Sequence, residues 1–172
     1  MVDEQAMLAV SNGDLDKAAV LYERYKKAVL GYFYRNSVRN ETAEDLMQQV
    51  FFRVINYRKS FGEGYAFKPW LFRIARNVLQ DAVQKNKTIF TGLDEKLDIQ
   101  EEESSYDADQ ENQLKRALEK LPDEYREVIL LSRYEELKYD EIAEILQISV
   151  SLVKVRVHRG LKVLREIYFQ MG

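Results

Sequence analysis

The chain has 172 residues, 46% of them hydrophobic, with a net charge of −3 and a pI near 5.4. That length suits one ordinary domain or two small ones, and the absence of cysteine excludes disulfides and thiolate metal sites. Two prolines and seven glycines are too few to punctuate a many-stranded sheet, so an all-α chain is expected.

No apolar run approaches the roughly 20 residues that span a bilayer. The N-terminus has no basic segment ahead of an apolar one. A cytoplasmic protein without direct membrane insertion is the expectation. Charge is unevenly spread: residues 1–88 carry a net +4, residues 89–111 a net −8, and residues 112–172 a net +1. The acidic stretch is poor in hydrophobic residues and dense in like charge, the composition of a flexible linker. Two small helical domains, 1–88 and 112–172, joined by the linker 89–111, follow from this division.

Residues 3–12 and 14–35 carry helical periodicity, with Leu21, Tyr25, Val29 and Phe33 four apart and Asp14 placed to cap the second helix. Asn40 or Thr42, ahead of Glu44 and Asp45, signals the next helix start. On that helix Leu46, Met47, Val50, Phe51 and Val54 form the inward stripe, while Phe52 lies opposite among Asp45, Gln48, Gln49 and Asn56. A phenylalanine on a polar face is either a contact for another protein or a plug under a neighbouring helix.

The loop "KSFGEGYAFK" follows, and Pro69 opens a further helix, where its missing N–H costs nothing. Trp70, Leu71, Ile74, Ala75 and Val78 face inward; Arg73, Arg76, Asn77, Gln80 and Gln84 face out, with Lys85 next in the chain. Basic and amide side chains without an acid among them suit phosphates and base edges. Phe61, Tyr65 and Phe67 on the loop are either core plugs or platforms on which single-stranded bases stack.

After the acidic stretch, helix resumes at Asn112, Pro122 interrupts it, and Asp123 is placed to cap its successor. The last two helices carry opposite charge. "YDEIAEIL" is acidic, whereas Ser149 to Arg165 contain no acid. Val150, Val153, Val157, Gly160, Leu161 and Leu164 are expected in the core. Ser151, Leu152, Lys154, Val155, Arg156, His158, Arg159, Lys162 and Arg165 collect on the other face. The cations can neutralise phosphates, Leu152 and Val155 can touch thymine methyls, and Ser151 or His158 can bond base edges. With Ala143 allowing close approach, the pair reads as a helix-turn-helix. Its turn holds Gln147 where glycine is common, and a left-handed residue there costs on the order of 1 kcal/mol. The one histidine, and the lack of paired carboxylates beside it or of a phosphate-binding glycine loop, argue against an enzyme, a metal or a cofactor.

The blocks "AEDLMQQVFFRV" and "WLFRIARNVLQD", then "LPDEYREVILLSRYEELKYDEIAEILQIS" and "VKVRVHRGLKVLR", resemble in order and distance a sigma factor of bacterial RNA polymerase, of the minimal extracytoplasmic-function (ECF) type. The resemblance implies a non-enzymatic subunit that binds core polymerase and directs promoter recognition, −10 melting and transcription initiation. It implies that Asp45, Gln48, Gln49, Phe52, Arg53 and Asn56 meet the β′ clamp helices. Phe61, Tyr65, Phe67, Lys68, Arg73, Arg76, Asn77, Gln80, Gln84 and Lys85 would then act at the −10 element, and the basic helix at the −35 element, its domain seated on the β-flap. An anti-sigma factor is an implied partner. Gln84, Leu152 and Gly160 depart from the arginine, threonine and alanine usual in the family. A stand-alone helix-turn-helix regulator or a sigma-like sequestering protein are the alternatives.

Overall fold

Every regular element among the described residues is helical, and each helix follows from an apolar stripe at helical spacing. The computed structural model describes residues 1–89 and 106–171, which fall into two compact units. Unit one contains α1 (Asp3–Ser11), α2 (Lys17–Arg35), α3 (Asn40–Asn56), a 3-10 turn (Arg58–Ser60) and α4 (Phe67–Ile89). Unit two contains α5 (Tyr106–Lys120), α6 (Asp123–Ile129) running into a π turn (Leu130–Tyr134), α7 (Tyr139–Leu146) and α8 (Val150–Met171).

The helix starts differ from the expected caps. Arg39 is the N-cap of α3, without a side-chain capping bond, so Asn40 and Thr42 lie inside the helix. Asp123 is the first residue of α6, behind Pro122. Asp14 contributes its backbone carbonyl, which accepts from the Lys17 N–H at 3.3 Å. Acids are favourable throughout a first turn because they face the positive end of the helix dipole, so composition alone does not separate a cap from the residues after it. For the same reason α5 begins at Tyr106, six residues before the expected Asn112, in a stretch assigned to the linker. The rest of that linker, 90–105, lies outside the described residues.

The core of unit one joins Ala6, Met7 and Val10 of α1 to Leu21, Val29 and Phe33 of α2. From α3 and α4 come Leu46, Met47, Val50, Val54, Leu71, Ile74, Ala75 and Val78. Phe51 is half-buried, edge-on to Tyr22 at 5.0 Å. Phe72 is also fully buried, edge-on to Tyr32 at 5.7 Å. A buried ring of this kind contributes about 1.5–3 kcal/mol. Asp3 ties α1 to α2, accepting from the Tyr25 hydroxyl and pairing with Arg24 at 2.9 Å.

In unit two α8 packs along α5, α6 and α7. Gly160 lies at the α6 crossing, where a Cβ would stand 3.0 Å from both the Ile129 Cδ1 and the Tyr125 Cβ; the missing side chain sets the spacing. Arg126 closes α5 from the neighbouring helix: its Nη1 lies 3.3 Å from the carbonyls of Leu118, Glu119 and Leu121, and its Nη2 pairs with Asp123.

Candidate nucleic-acid interfaces

In unit two the α7–α8 turn is built as the sequence requires. Gln147 is left-handed, with φ 57° and ψ 45°, and its N–H and that of Ile148 both return to the Ala143 carbonyl. Lys138 N–H donates to Glu141 at 2.9 Å, holding the start of α7. Ser149 Oγ accepts from Leu152 N–H at 3.1 Å, capping α8. The serine ahead of a helical run was a readable cap signal that charge analysis passed over.

Ser151, Lys154, Val155, His158, Arg159 and Lys162 are exposed and recur at three- and four-residue steps, one stripe on α8. Leu152 is half-buried. Arg156 is also half-buried, its Nη2 3.7 Å from the Glu124 carboxylate of α6, so an acid from a neighbouring helix answers this cation. Val153, Val157 and Gly160 are buried as expected and Leu161 and Leu164 are half-buried, but Val150 is not in the core. It is 39% exposed, because it is the first helical residue and lies beyond the helices that cover the rest of the stripe.

In unit one the outward face of α4 is as expected, with Arg73, Asn77, Gln80, Gln84 and Lys85 exposed and Arg76 half-buried. The loop before it is not. Phe61 is 3% and Phe67 0% exposed. Phe61 stacks edge-on to half-buried Trp70 at 5.3 Å, and Phe67 lies 6.1 Å from the same indole and 5.3 Å from Tyr25. Both rings are core plugs, not open platforms: Phe61 packs on Phe67 and Trp70 of α4, and Phe67 on Tyr25 of α2 as well as on Trp70. Lys68 is half-buried too. Tyr65 alone of the three aromatics is open, at 54%, with Gly64 at φ 82° turning the loop outward. An open pocket of about 360 Å3 lies beside it, closed on the other side by Glu4 and Leu8 of α1. Neither residue was singled out from sequence, because the contact joins segments some sixty positions apart. Tyr57, also missed, is 56% exposed at the end of α3; its polar neighbours in "INYRKS" were a legible sign.

On α3, Phe52 is 65% exposed, and Asp45, Gln48, Gln49 and Asn56 are exposed around it. Arg53 turns aside to pair with Asp81 of α4 at 2.8 Å.

Residues 21–89 match the sigma-70 region 2 family and residues 111–164 match sigma-70, region 4. The chain belongs to the sigma-70 family. Its relatives narrow this to the ECF type. The ECF RNA polymerase sigma factor SigW of Bacillus subtilis is 32% identical, covering 96% of both chains. The RNA polymerase sigma factor CarQ of Myxococcus xanthus is 31% identical over 91% of each. Among solved structures, CnrH in complex with the cytosolic domain of CnrY superposes with a TM-score of 0.79 at 20% identity, over 99% of both chains. The sigma factor RpoE of Bartonella quintana, in complex with the anti-sigma factor NepR, gives 0.75 at 24% identity, covering 87% of this chain and 94% of its own. At such identities the likeness establishes the fold.

This sigma factor directs promoter recognition, and the family is a non-enzymatic initiation factor of RNA polymerase. The region 2 match runs from Leu21 in α2 to the end of α4, with the open faces of α3 and α4 and the Tyr65 loop; the region 4 match covers the helix-turn-helix. α1, with its wall of the pocket, lies ahead of both.

Proposed function

We propose that the two helical units act as separate promoter-reading domains joined through the acidic stretch within 89–111, the last residues of which, from Tyr106, belong to α5. The observation that carries this is the pair of outward faces rich in basic and amide side chains, in a chain of net negative charge: one on α4, whose single acid, Asp81, is paired with Arg53, and one on α8, free of acid from Val150 to Arg165. Lys154, Arg159 and Lys162 neutralise phosphates around the −35 major groove, while Ser151, Val155, His158 and part of Leu152 face its bases. Arg156 anchors that helix through Glu124 and reaches the backbone from its edge. Arg73, Arg76, Asn77, Gln80, Gln84 and Lys85 follow the −10 strand, with Lys68 at the helix start. Tyr65 supplies the stacking surface; Phe61 and Phe67 support it from beneath. Unpairing a base costs a few kcal/mol, and stacking offsets it by about 1–3 kcal/mol per base.

Phe52, with Asp45, Gln48, Gln49 and Asn56, docks on the β′ clamp helices of core polymerase, and Arg53 braces that helix against α4. The second domain sits on the β-flap. An anti-sigma factor is a further partner, as NepR is for the sigma factor RpoE of Bartonella quintana, whose fold this chain shares. The chain has no catalytic activity of its own and works in the cytoplasm; among the described residues no helix is long and apolar enough to cross a membrane.

The test is run-off transcription by bacterial core polymerase plus this protein on a library of DNA fragments, with the starts sequenced. Discrete starts sharing one upstream hexamer pair are expected. Lys154→Gln with Arg159→Gln is expected to weaken the dependence of transcription on the upstream hexamer and to leave the downstream hexamer unchanged. Failure to bind core overturns the proposal in favour of a stand-alone regulator; core binding without transcription favours a sequestering protein.

A further inference from the structure

Asp81 is the one acid of α4, and it interrupts the face that carries Arg73, Asn77, Gln84 and Lys85. It lies four residues after Asn77 and four before Lys85, so it stands in line with both on the helix surface. Its partner is not Lys85, one turn along its own helix, but Arg53 of α3, whose Nη2 is 2.8 Å from the Asp81 Oδ2. Arg53 follows Phe52 directly, which turns it about 100° around α3, away from the open Phe52 face and onto α4. The Asp81 side chain is 66% exposed. An ion pair this open contributes little to stability, because water solvates the carboxylate whether or not it is paired. Its charge still acts at a distance. One helical turn is about 5.4 Å, well inside the ~10 Å screening length of 0.1 M salt, so a bare carboxylate would repel any phosphate lying along Asn77 and Lys85.

We infer that Arg53 serves the DNA face of α4 rather than the polymerase face of α3: it cancels the Asp81 charge, so that a DNA strand meets a face with no bare acid. The inference rests on the proposed reading of α4 as a DNA-contacting face, and it adds to that face a positioning residue from the neighbouring helix. With the pair formed, Arg73, Arg76 and Lys85 keep their full positive charge; without Arg53, Asp81 offsets one of them. On a single strand each effective charge contributes about 0.7 to the slope of log affinity against log salt. Losing one is therefore worth roughly fivefold over a tenfold range of salt. The sign distinguishes charge balance from bracing. Removing the arginine exposes an acid, whereas removing the aspartate leaves an added cation, so only the first change harms DNA binding.

The experiment follows two steps with the full-length protein: binding to core polymerase, by competition with labelled wild type, and binding of the reconstituted holoenzyme to a promoter fragment left unpaired over the −10 element, from about 50 to 500 mM salt. Arg53→Met, Asp81→Ala and the double variant are compared, with circular dichroism to check the fold. Methionine and alanine cannot pair, so any rescue by the second change comes from charge. Arg53→Met is expected to bind core as wild type does but the fragment roughly fivefold more weakly at the lowest salt, the difference fading as salt rises. Asp81→Ala should bind the fragment at least as tightly as wild type, and the double variant should return to wild type. Weaker core binding by Arg53→Met overturns the inference and assigns Arg53 to the polymerase face. Fragment binding unchanged in Arg53→Met overturns it too. Equal defects in both single variants and the double overturn it in favour of a brace alone. Each of these leaves α4 as a DNA-contacting face; a wild-type holoenzyme with no salt-dependent hold on the fragment removes that reading and the inference with it.

Discussion

Replacing Arg126 by methionine keeps most of the aliphatic stem and deletes the guanidinium. In the folded chain that group serves three carbonyls at the end of α5, those of Leu118, Glu119 and Leu121, each at 3.3 Å, and its side chain is only 16% exposed. A hydrogen bond to a charged donor contributes about 1.5–3 kcal/mol. The three contacts share one nitrogen at long range, which argues for the lower half of that scale. Arg126 Nε is buried without a partner, so its removal returns part of the cost. The Asp123 pair is open to solvent on the carboxylate side and adds little. The net expectation is a loss of about 2 kcal/mol. With a urea m-value near the ~1 kcal/mol/M of small units, the midpoint should fall by roughly 2 M. The one tryptophan, Trp70, lies in unit one. Its fluorescence therefore reports the other unit and is expected to stay put while the far-UV helix signal moves. A far-UV midpoint displaced by less than about 0.3 M would refute the capping argument.

Gln147→Gly relieves a left-handed residue at φ 57° but removes the Gln147 side-chain bond to the Glu144 carbonyl at 2.6 Å; a net gain of about 0.5 kcal/mol in urea unfolding is expected. Burial, then the bond to Asp3, raises the Tyr25 hydroxyl well above its ordinary 10.0. The folded state thus holds that proton more tightly than the unfolded one, so its stabilisation is complete below pH 10 and is lost as the pH rises beyond it. Trp70-monitored melts at pH 9 and pH 11 should differ less in Tyr25→Phe than in wild type. Phe52→Asp places a charge at the centre of an exposed apolar contact and should weaken core polymerase binding by about 30-fold or more, as loss of an interface hot spot does. Circular dichroism should remain that of wild type, because the ring is 65% exposed.

The helices, though not where they start, the division into two helical parts and the charged faces were legible in the sequence. Periodicity reports which side of a helix is apolar, and the alternation at Leu46–Val54 or Val153–Val157 needs no neighbour to be read. The resemblance carried by the two motif blocks was likewise a property of sequence. What happens where elements meet depended on packing. Phe61 and Phe67 looked as open as Tyr65, because a loop has no period to sort its residues, and Trp70 and Tyr25 supplied the surface that buried them. Arg53 and Arg156 looked free until α4 and α6 brought Asp81 and Glu124 within reach. Val150 followed the core stripe in register and still emerged, since a stripe continues past the end of the helices that cover it. The pocket between Glu4 and Tyr65 had no local signature, because packing alone joins residues so far apart in the chain.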